Sequence, residues 1–371
     1  MEFVDLKVQQ TRIRKSLDSR IAKVLDHGQY ILGPEVRELE QKLASFVGVE
    51  HCLGVASGTD ALLMGLMAAD IGPGDAVFTT PFTFVATVET IRLLGATPVF
   101  ADIDERTFNI DPDSLEAAIE AIRRNGALTP RAVVTVDLFG LNADYARIEP
   151  LCEQHGLFLL EDAAQAFGAE SGGRRAGSFG SIGATSFFPA KPLGCYGDGG
   201  AVFTNSKELA GVLDSIRVHG KGEHKYDNVR IGINGRLDTL QAAVLLEKLE
   251  IFEDELTQRQ RVAASYEAAL HNHVQTPRMP AGEVSAWAQY SICSDERDRI
   301  RAALTEAGIP SAIYYERPLH LQTAFTDLGY SDGQLPRSEA TSKRVLSLPM
   351  HPYLTEDDIQ QIAGAIVQAL A

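Results

Sequence analysis

Short apolar runs alternate with helical patterns along the first half of the chain. Runs with the length and composition of buried strands lie at residues 76–79, 98–101, 132–136 and 157–160. Segments of helical pattern accompany them, notably at 34–48 and 114–124. Parallel strands must be joined by crossover connections, which are usually helices. This alternation therefore predicts an α/β fold built on a mostly parallel sheet.

The second half of the chain indicates a further, smaller domain. At 371 residues the chain is too long for one simple core. A long helical pattern starts at Leu237 and should link two domains; a mixed pattern follows and ends in a helix over 355–370. We expect a large α/β domain over residues 1–250 and a smaller α+β domain over 251–371.

The charge balance and the N-terminal sequence restrict partners and location. The formal net charge of −16 would repel a phosphate backbone and no basic cluster opposes it, so we expect no nucleic-acid partner. The first residues lack the basic start and apolar stretch of a signal peptide, and no apolar run of membrane-spanning length follows. The sequence therefore predicts a cytoplasmic protein without a membrane partner.

Signatures of several cofactor classes are missing from the sequence. The cysteines, at Cys52, Cys152, Cys195 and Cys293, have no CxxC spacing, which predicts reduced thiols and neither a zinc site nor a disulfide framework. Histidines and carboxylates show no metal-ligand spacing, so no metal is expected. Neither GxGxxG nor GxxxxGK[ST] occurs, so a nicotinamide oxidoreductase and a P-loop enzyme lack their phosphate-binding signal.

Two acidic residues, Glu161 and Asp162, end one of the apolar runs. Ligands of open α/β sheets bind at the carboxyl ends of the strands, which makes this pair a candidate site. A carboxylate buried there needs a cationic partner, and a protonated pyridine nitrogen is one. On these residues alone, the favoured alternative is that Asp162 caps a helix over the residues that follow.

A candidate anion site follows the apolar stretch 52–55. Residues 57–61 (Ser-Gly-Thr-Asp-Ala) open a helical pattern and offer backbone N–H groups and a hydroxyl. A phosphate would fit there. An ordinary strand-to-helix turn capped by Ser57 or Thr59 explains the motif equally well when it is taken alone.

The segment 186–200 (Ser-Phe-Phe-Pro-Ala-Lys-Pro-Leu-Gly-Cys-Tyr-Gly-Asp-Gly-Gly) places Lys191 between prolines and close to several glycines. Lysine forms Schiff bases with carbonyl groups when a site lowers its pKa, and pyridoxal enzymes pair such a lysine with an acid at the pyridine nitrogen. Lys191 and Asp162 supply that pair. A lysine in a glycine-rich loop is by itself more often a surface residue.

Two phenylalanines follow the run at 76–79 in the segment 81–87 (Pro-Phe-Thr-Phe-Val-Ala-Thr). An aromatic face at Phe82 or Phe84 would stack on a flat cofactor ring. The alternative for each is an ordinary core position.

Taken in order, these motifs resemble the nucleotide-sugar aminotransferases of fold type I, of the DegT/DnrJ/StrS type. The matching segments are 57–61, 81–87, 161–166 (Glu-Asp-Ala-Ala-Gln-Ala), 186–191, 197–200 and 234–238 (Asn-Gly-Arg-Leu-Asp). The resemblance covers essentially the whole chain. It implies a large domain with a mostly parallel seven-stranded sheet, a smaller C-terminal α+β domain, and pyridoxal 5′-phosphate as cofactor.

The resemblance also implies residue roles. Lys191 would bind the cofactor as a Schiff base and Asp162 would hold its pyridine nitrogen protonated, both acting in catalysis. The remaining cofactor contacts would be Gly58, Thr59 and Ser186 to the phosphate, Gln165 to the ring hydroxyl, Phe84 to the ring face, and Asn234 to the phosphate of a partner subunit in a homodimer with shared active sites. The substrate would meet Tyr30, Arg236, Tyr315, His320 and His351, although a packed aromatic or loop histidine explains the tyrosines and histidines equally well.

Segments 28–36, 191–200 and 346–353 look most like the enzymes that aminate C3 of a UDP-linked 2-acetamido-3-oxo-hexuronate for O-antigen lipopolysaccharide. L-Glutamate would be the amino donor. Related dehydratases have histidine in place of the lysine, so Lys191 argues for transamination. A C4 aminotransferase of a 4-keto-6-deoxy sugar and a non-catalytic pyridoxal-phosphate-binding regulator are the alternatives.

Two departures from the family pattern bear on substrate choice. Asp137 stands where many relatives have histidine, and the connection at 120–130 is longer than usual.

Overall fold

Residues 1–224 and 226–371 are described by the structure, a computed structural model. Its helices are α1 Leu6–His27, α2 Pro34–Val47, α3 Gly58–Ala68, α4 Ala86–Leu93, α5 Pro112–Asn125, α6 Tyr145–His155, α7 Lys207–Ile216, α8 Thr239–Leu270, α9 Arg297–Glu306, α10 Pro336–Arg344 and α11 Glu356–Leu370. Short 3₁₀ turns occur at Leu138–Gly140, Leu319–Leu321 and Thr323–Leu328. Within the described ranges, no helix is both long and apolar enough to cross a membrane.

The strands are short and most follow a helix. They are β1 His51–Val55, β2 Asp75–Thr79, β3 Thr97–Phe100, β4 Thr129–Val136, β5 Phe158–Asp162, β6 Glu170–Ser171, β7 Arg174–Arg175, β8 Ile182–Ser186, β9 Gly200–Thr204, β10 Glu283–Val284, β11 Tyr290–Cys293 and β12 Val345–Leu348.

The large domain is built on a seven-stranded sheet in the order β1-β9-β8-β5-β4-β2-β3. Only β9 pairs antiparallel with its neighbours, β1 and β8; the other pairings are parallel. The predicted mostly parallel α/β sheet is therefore confirmed. Because six strands run in one direction, their carboxyl ends meet at one edge of the sheet, where ligands of open α/β folds bind.

Helices cover both faces of this sheet. Val77 and Val134 face a core shared with α3 and α7, whereas their neighbours Ala76 and Val133 face α5 and α6. This alternation is the period of two that a strand imposes. Full burial of an aliphatic side chain contributes roughly 1.5–3 kcal/mol, so two apolar faces explain why the strands appear in the sequence as continuous apolar runs.

The C-terminal part has its own core. The antiparallel pair β11 and β12 packs with α9, α11 and the second half of α8 around buried residues such as Ile292 and Ile362. Helix α8 is continuous across residue 250, the boundary expected from the sequence. We propose that the chain divides into a 1–250 and a 251–371 domain that share this helix.

Candidate active site

Three strands of the large sheet bring the predicted site residues to one edge. β5 ends at Asp162 and β8 ends at Ser186, and these strands are paired in parallel. β1 runs in the same direction and leads into the turn before Gly58. The loop after β8 carries Lys191 back toward the same edge.

Asp162 is buried and held by two donors. The Thr87 hydroxyl donates to its Oδ2 at 2.8 Å, and the Ala164 N–H donates to its Oδ1 at 3.2 Å. Burial raises the pKa of Asp162, while these donors and Lys191 oppose the rise. No helix follows this residue, because 164–168 form turns, so the alternative of a helix cap is wrong. The carboxylate is placed to bind a cation.

Lys191 lies in a turn, with its N–H donating to the Phe188 carbonyl at 2.9 Å. Its side chain is half-buried, and burial lowers the pKa of the ammonium while Asp162 opposes that fall. Its Nζ has no hydrogen-bond or ion-pair partner in the described part of the chain. A half-buried, unpaired amine of lowered pKa can act as a nucleophile or base.

The start of α3 forms a cradle for an anion. Ser57 caps the helix by accepting the Asp60 N–H at 3.0 Å, so the helix cap considered as the alternative to an anion site is present. This cap leaves the N–H groups of Gly58 and Thr59 without an acceptor within residues 1–224 and 226–371. A Cβ on Gly58 would lie 2.6 Å from the Cβ of Ser186, so only glycine lets the helix approach that hydroxyl. Such a helix start attracts phosphate.

Gln165 lies next to this group and bridges two other segments. Its Oε1 accepts the Phe139 N–H at 2.9 Å, and its Nε2 donates to the Tyr315 hydroxyl at 3.1 Å. Burial raises the pKa of Tyr315, and the nearby Asp162 adds to the rise. The structure therefore brings Tyr315 to the same site as Asp162.

Of the aromatic side chains expected at the site, Phe84 and Tyr30 are exposed by 54% and 47%. Phe82, by contrast, is buried in a core with Tyr315, so the core alternative is correct for it. The Tyr30 carbonyl accepts the Thr239 N–H at 2.9 Å, which places Tyr30 beside the start of α8.

Segment 234–236 runs beside the turn that leads to α3. The Ala56 N–H donates to the Gly235 carbonyl at 3.1 Å. The main chain of Arg236 forms an isolated antiparallel β-bridge with Val55. The Arg236 guanidinium donates to Oδ1 of Asn234, which is exposed. Both polar side chains thus lie at the rim of the anion cradle.

The two histidines expected at the substrate have contacts of another kind. His320 is buried, with its Nε2 3.0 Å from Glu339 and its ring against Phe100. His351 is buried near Arg259 and Tyr353; burial and Arg259 lower its pKa to about 4. The contacts found for these histidines are with other parts of the chain rather than with Lys191 or Asp162.

Sequence analysis missed Thr87, whose hydroxyl orients Asp162. Thr87 is the last residue of the segment 81–87, in which only the phenylalanines stood out as candidates for cofactor contact. Thr83 lies one turn earlier and its hydroxyl is 3.0 Å from that of Thr87. A threonine pair facing the end of a neighbouring strand was the available signal.

Comparison with known proteins gives this geometry its context. The sequence profile of the DegT/DnrJ/EryC1/StrS aminotransferase family matches residues 11–367, almost the entire chain. The chain belongs to this aminotransferase family. The enzymes of the family depend on pyridoxal 5′-phosphate.

Curated relatives and solved structures agree with the family. A UDP-2-acetamido-2-deoxy-3-oxo-D-glucuronate aminotransferase from Pseudomonas aeruginosa is 49% identical, covering 99% of each chain. A UDP-N-acetyl-3-dehydro-α-D-glucosamine 3-aminotransferase from Acidithiobacillus ferrooxidans is 42% identical, covering 99% of this chain and 97% of the relative. The crystal structure of a DegT/DnrJ/EryC1/StrS aminotransferase from Brucella abortus is 56% identical, with a TM-score of 0.98 and full coverage of both chains.

The site fits the cofactor of this aminotransferase family. Pyridoxal phosphate carries an anionic phosphate, a basic ring nitrogen and a carbonyl carbon that an amine attacks. The cradle at Gly58, the buried carboxylate of Asp162 and the unpaired Nζ of Lys191 match these three groups in charge and chemistry.

Proposed function

We propose that the protein transfers an amino group from L-glutamate to the C3 keto group of a UDP-linked 2-acetamido-3-oxo-hexuronate. The observation that carries the reaction type is the half-buried, unpaired amine of Lys191 beside the buried carboxylate of Asp162. The choice of substrate rests on the 49% identity with the Pseudomonas aeruginosa enzyme over almost the full length of both chains.

Each cofactor group has a residue that would hold it. The N–H groups of Gly58 and Thr59 and the hydroxyl of Ser186 would bind the phosphate. Asp162 would pair with the protonated ring nitrogen, and Thr87 keeps that carboxylate oriented. The further contacts are Gln165 at the ring hydroxyl and Phe84 on the ring face.

The chemistry divides between the cofactor and Lys191. When bound, pyridoxal phosphate would supply an electron sink for the carbon from which the proton is removed. The Nζ of Lys191 would hold the cofactor and would also carry the proton that the reaction moves. Burial favours the neutral amine, which is the form that accepts a proton near neutral pH.

The active form would be a homodimer with shared sites. Exposed apolar side chains lie on segments that flank the site, at Ile31, Phe188 and Ile231. A second copy of the chain would cover them, since exposed apolar patches mark interfaces. Asn234, exposed at the rim, would then reach the phosphate of the partner's cofactor.

The substrate would be bound at the rim of this site. Arg236 is the cation available for its carboxylate or diphosphate, with Tyr30 and Tyr315 at its edges. His320 and His351 remain proposed substrate contacts only because the resemblance to the family implies them. The product would enter O-antigen or another surface polysaccharide.

The compartment would be the cytoplasm. All four cysteines are buried free thiols, as expected in a reducing environment.

The test is an amination assay with purified protein and L-glutamate. UDP-2-acetamido-3-oxo-glucuronate is compared with a dTDP-4-keto-6-deoxy sugar, and the amino sugar is detected by mass spectrometry. We expect turnover with the UDP substrate, none in Lys191→Ala, and unchanged turnover in Lys207→Ala, an exposed lysine on α7. Preference for the dTDP substrate would mean that the enzyme aminates C4 rather than C3. Binding of the cofactor without turnover of either substrate would contradict the enzymatic function.

A further inference from the structure

Two further buried carboxylates, those of Asp137 and Glu161, lie beside Asp162. Asp137 follows β4, and its N–H donates to the Asp162 carbonyl at 3.0 Å. Glu161 precedes Asp162 in β5, so its side chain points to the opposite face of the sheet. Both side chains are completely buried. The strand pairing of Thr135 with Glu161 puts Asp137, two residues farther along, on the same face of the sheet as Glu161 and next to it.

Asp137 accepts several hydrogen bonds. Its Oδ1 accepts the Ala143 N–H at 2.8 Å and the Tyr145 hydroxyl at 2.8 Å. With its amide nitrogen toward the carboxylate, Asn142 donates to Oδ2 at 3.2 Å. Donors of this kind stabilise the ionised form of a carboxylate.

Within the described residues, Glu161 accepts hydrogen bonds only from the main chain. Its Oε1 accepts the Gly177 N–H at 2.6 Å and its Oε2 accepts the Phe179 N–H at 2.8 Å. Gly177 has a φ of +97°, a conformation that favours glycine, so the turn is shaped to present these N–H groups.

Within residues 1–224 and 226–371, no cation balances this pair. Neither carboxylate forms a salt bridge anywhere in the described part of the chain. The ionisable groups that face the pair are Tyr145 from α6 and Asp162 from β5; Arg174 lies on the outer side, over the Phe179 ring. Two touching carboxylates without a cation cannot both be ionised at low cost. Burial accordingly raises the pKa of both carboxyl groups above their ordinary values, and that of Glu161 well above.

We propose that Asp137 and Glu161 share one proton at neutral pH, and that the single negative charge left on the pair strengthens the hold of Asp162 on the protonated ring nitrogen. The second half rests on the proposed function; the first does not. Asp137 and Glu161 are positioning residues, because they act through Asp162.

Two single variants test the shared proton in the cofactor-free protein. In Asp137→Asn the amide oxygen accepts the Tyr145 hydroxyl and the amide nitrogen donates to Glu161, so the pair needs no proton. Glu161→Gln likewise removes the need for a proton, and it exchanges one hydrogen bond from the Gly177 or Phe179 N–H for one to Asp137. At pH 7 the wild type should show the infrared absorption of a protonated carboxyl. Each folded variant should lack this absorption when its spectrum is subtracted from that of the wild type. The same carboxyl absorption in the wild type and both variants would overturn the shared proton.

The double variant tests the effect on Asp162. Each single variant retains one negative charge on the pair, whereas Asp137→Asn/Glu161→Gln retains none. In the cofactor-loaded protein, the pH titration of the visible absorption should match the wild type in both single variants. In the double variant the midpoint of this titration should fall by about one pH unit, since removing a negative charge disfavours the protonated form of the cofactor.

Coincident titrations of the wild type and the double variant would overturn the electrostatic role. Failure of the wild type to show a visible band at all would contradict the proposed function instead, and the infrared comparison would still decide whether the proton is shared.

Discussion

The hydroxyl of Thr87 donates to Oδ2 of Asp162 at 2.8 Å, linking the first turn of α4 to the end of β5. Both residues are buried. The hydrogen bond fixes the rotation of the carboxylate, while the Ala164 N–H holds the other oxygen at 3.2 Å. Asp162 is therefore oriented before any ligand binds.

Thr87→Val removes this hydroxyl and preserves the shape of the side chain. Loss of one hydrogen bond to a charged group costs about 1.5 kcal/mol, so affinity for pyridoxal phosphate should fall about tenfold. Equilibrium titration of the cofactor-free protein measures it. Thr90→Val is the control, since that hydroxyl bonds only to main-chain carbonyls of its own helix. Equal affinities in both variants would contradict the orienting role.

Gly58→Ala should damage the anion cradle. The added Cβ would lie 2.6 Å from that of Ser186, so the start of α3 must move away from β8. We expect a loss of cofactor affinity of at least about tenfold, with a smaller effect on the free energy of unfolding. Gly211→Ala in α7 is the control, because its Cβ meets no atom within 4 Å and alanine favours the helix. Undiminished binding by Gly58→Ala would rule out a phosphate at this turn.

The sequence predicted the central strands because they are buried on both faces. The runs at 76–79, 98–101, 132–136 and 157–160 coincide with β2 to β5 to within a few residues, and 34–48 and 114–124 coincide with α2 and α5. β8 and β9 were not predicted. They contain small residues such as Gly183, whose Cβ would lie 2.3 Å from the Gly177 carbonyl oxygen, so close backbone contact replaces the apolar run.

The site was predictable where one motif carries one function. Lys191, Asp162 and the turn at Gly58 each stand out in a short segment. The contacts of Thr87 with Asp162 and of Asp137 with Glu161 join segments that are distant along the chain, and no spacing in the sequence reveals them. For the same reason, the burial of His320 against Glu339 followed only from the fold.

A buried ion pair holds α2 against β1. The Glu40 Oε1 lies 2.6 Å from the Arg217 guanidinium and accepts the Gly54 N–H at 2.9 Å. Glu40→Leu leaves Arg217 with Asp214 as its carboxylate partner and removes a hydrogen bond to a charged group, so the free energy of unfolding should fall by about 2 kcal/mol in urea titrations. Asp18→Ala, which breaks the exposed pair with Arg14, should change it by less than about 0.5 kcal/mol. Equal effects of both substitutions would contradict this difference in burial.

His351 should make stability depend on pH. Its pKa in the folded protein is lowered to about 4, below the ordinary value of 6.5, by burial and by Arg259. The unfolded chain therefore binds the proton first, and stability is lost as pH falls from about 6.5 toward 4. The loss should reach about 2–3 kcal/mol in urea titrations and shrink in His351→Gln. A pH profile identical in the two proteins would show that another group titrates.

The most direct test of the central claim is the absorption spectrum of the purified protein with pyridoxal phosphate, recorded before and after L-glutamate is added. We predict a visible band from the lysine-bound cofactor that glutamate converts to a near-ultraviolet band, with the initial band missing in Lys191→Ala. No visible band in the wild type, even after incubation with the cofactor, would contradict the assignment of Lys191 and Asp162 as the catalytic pair.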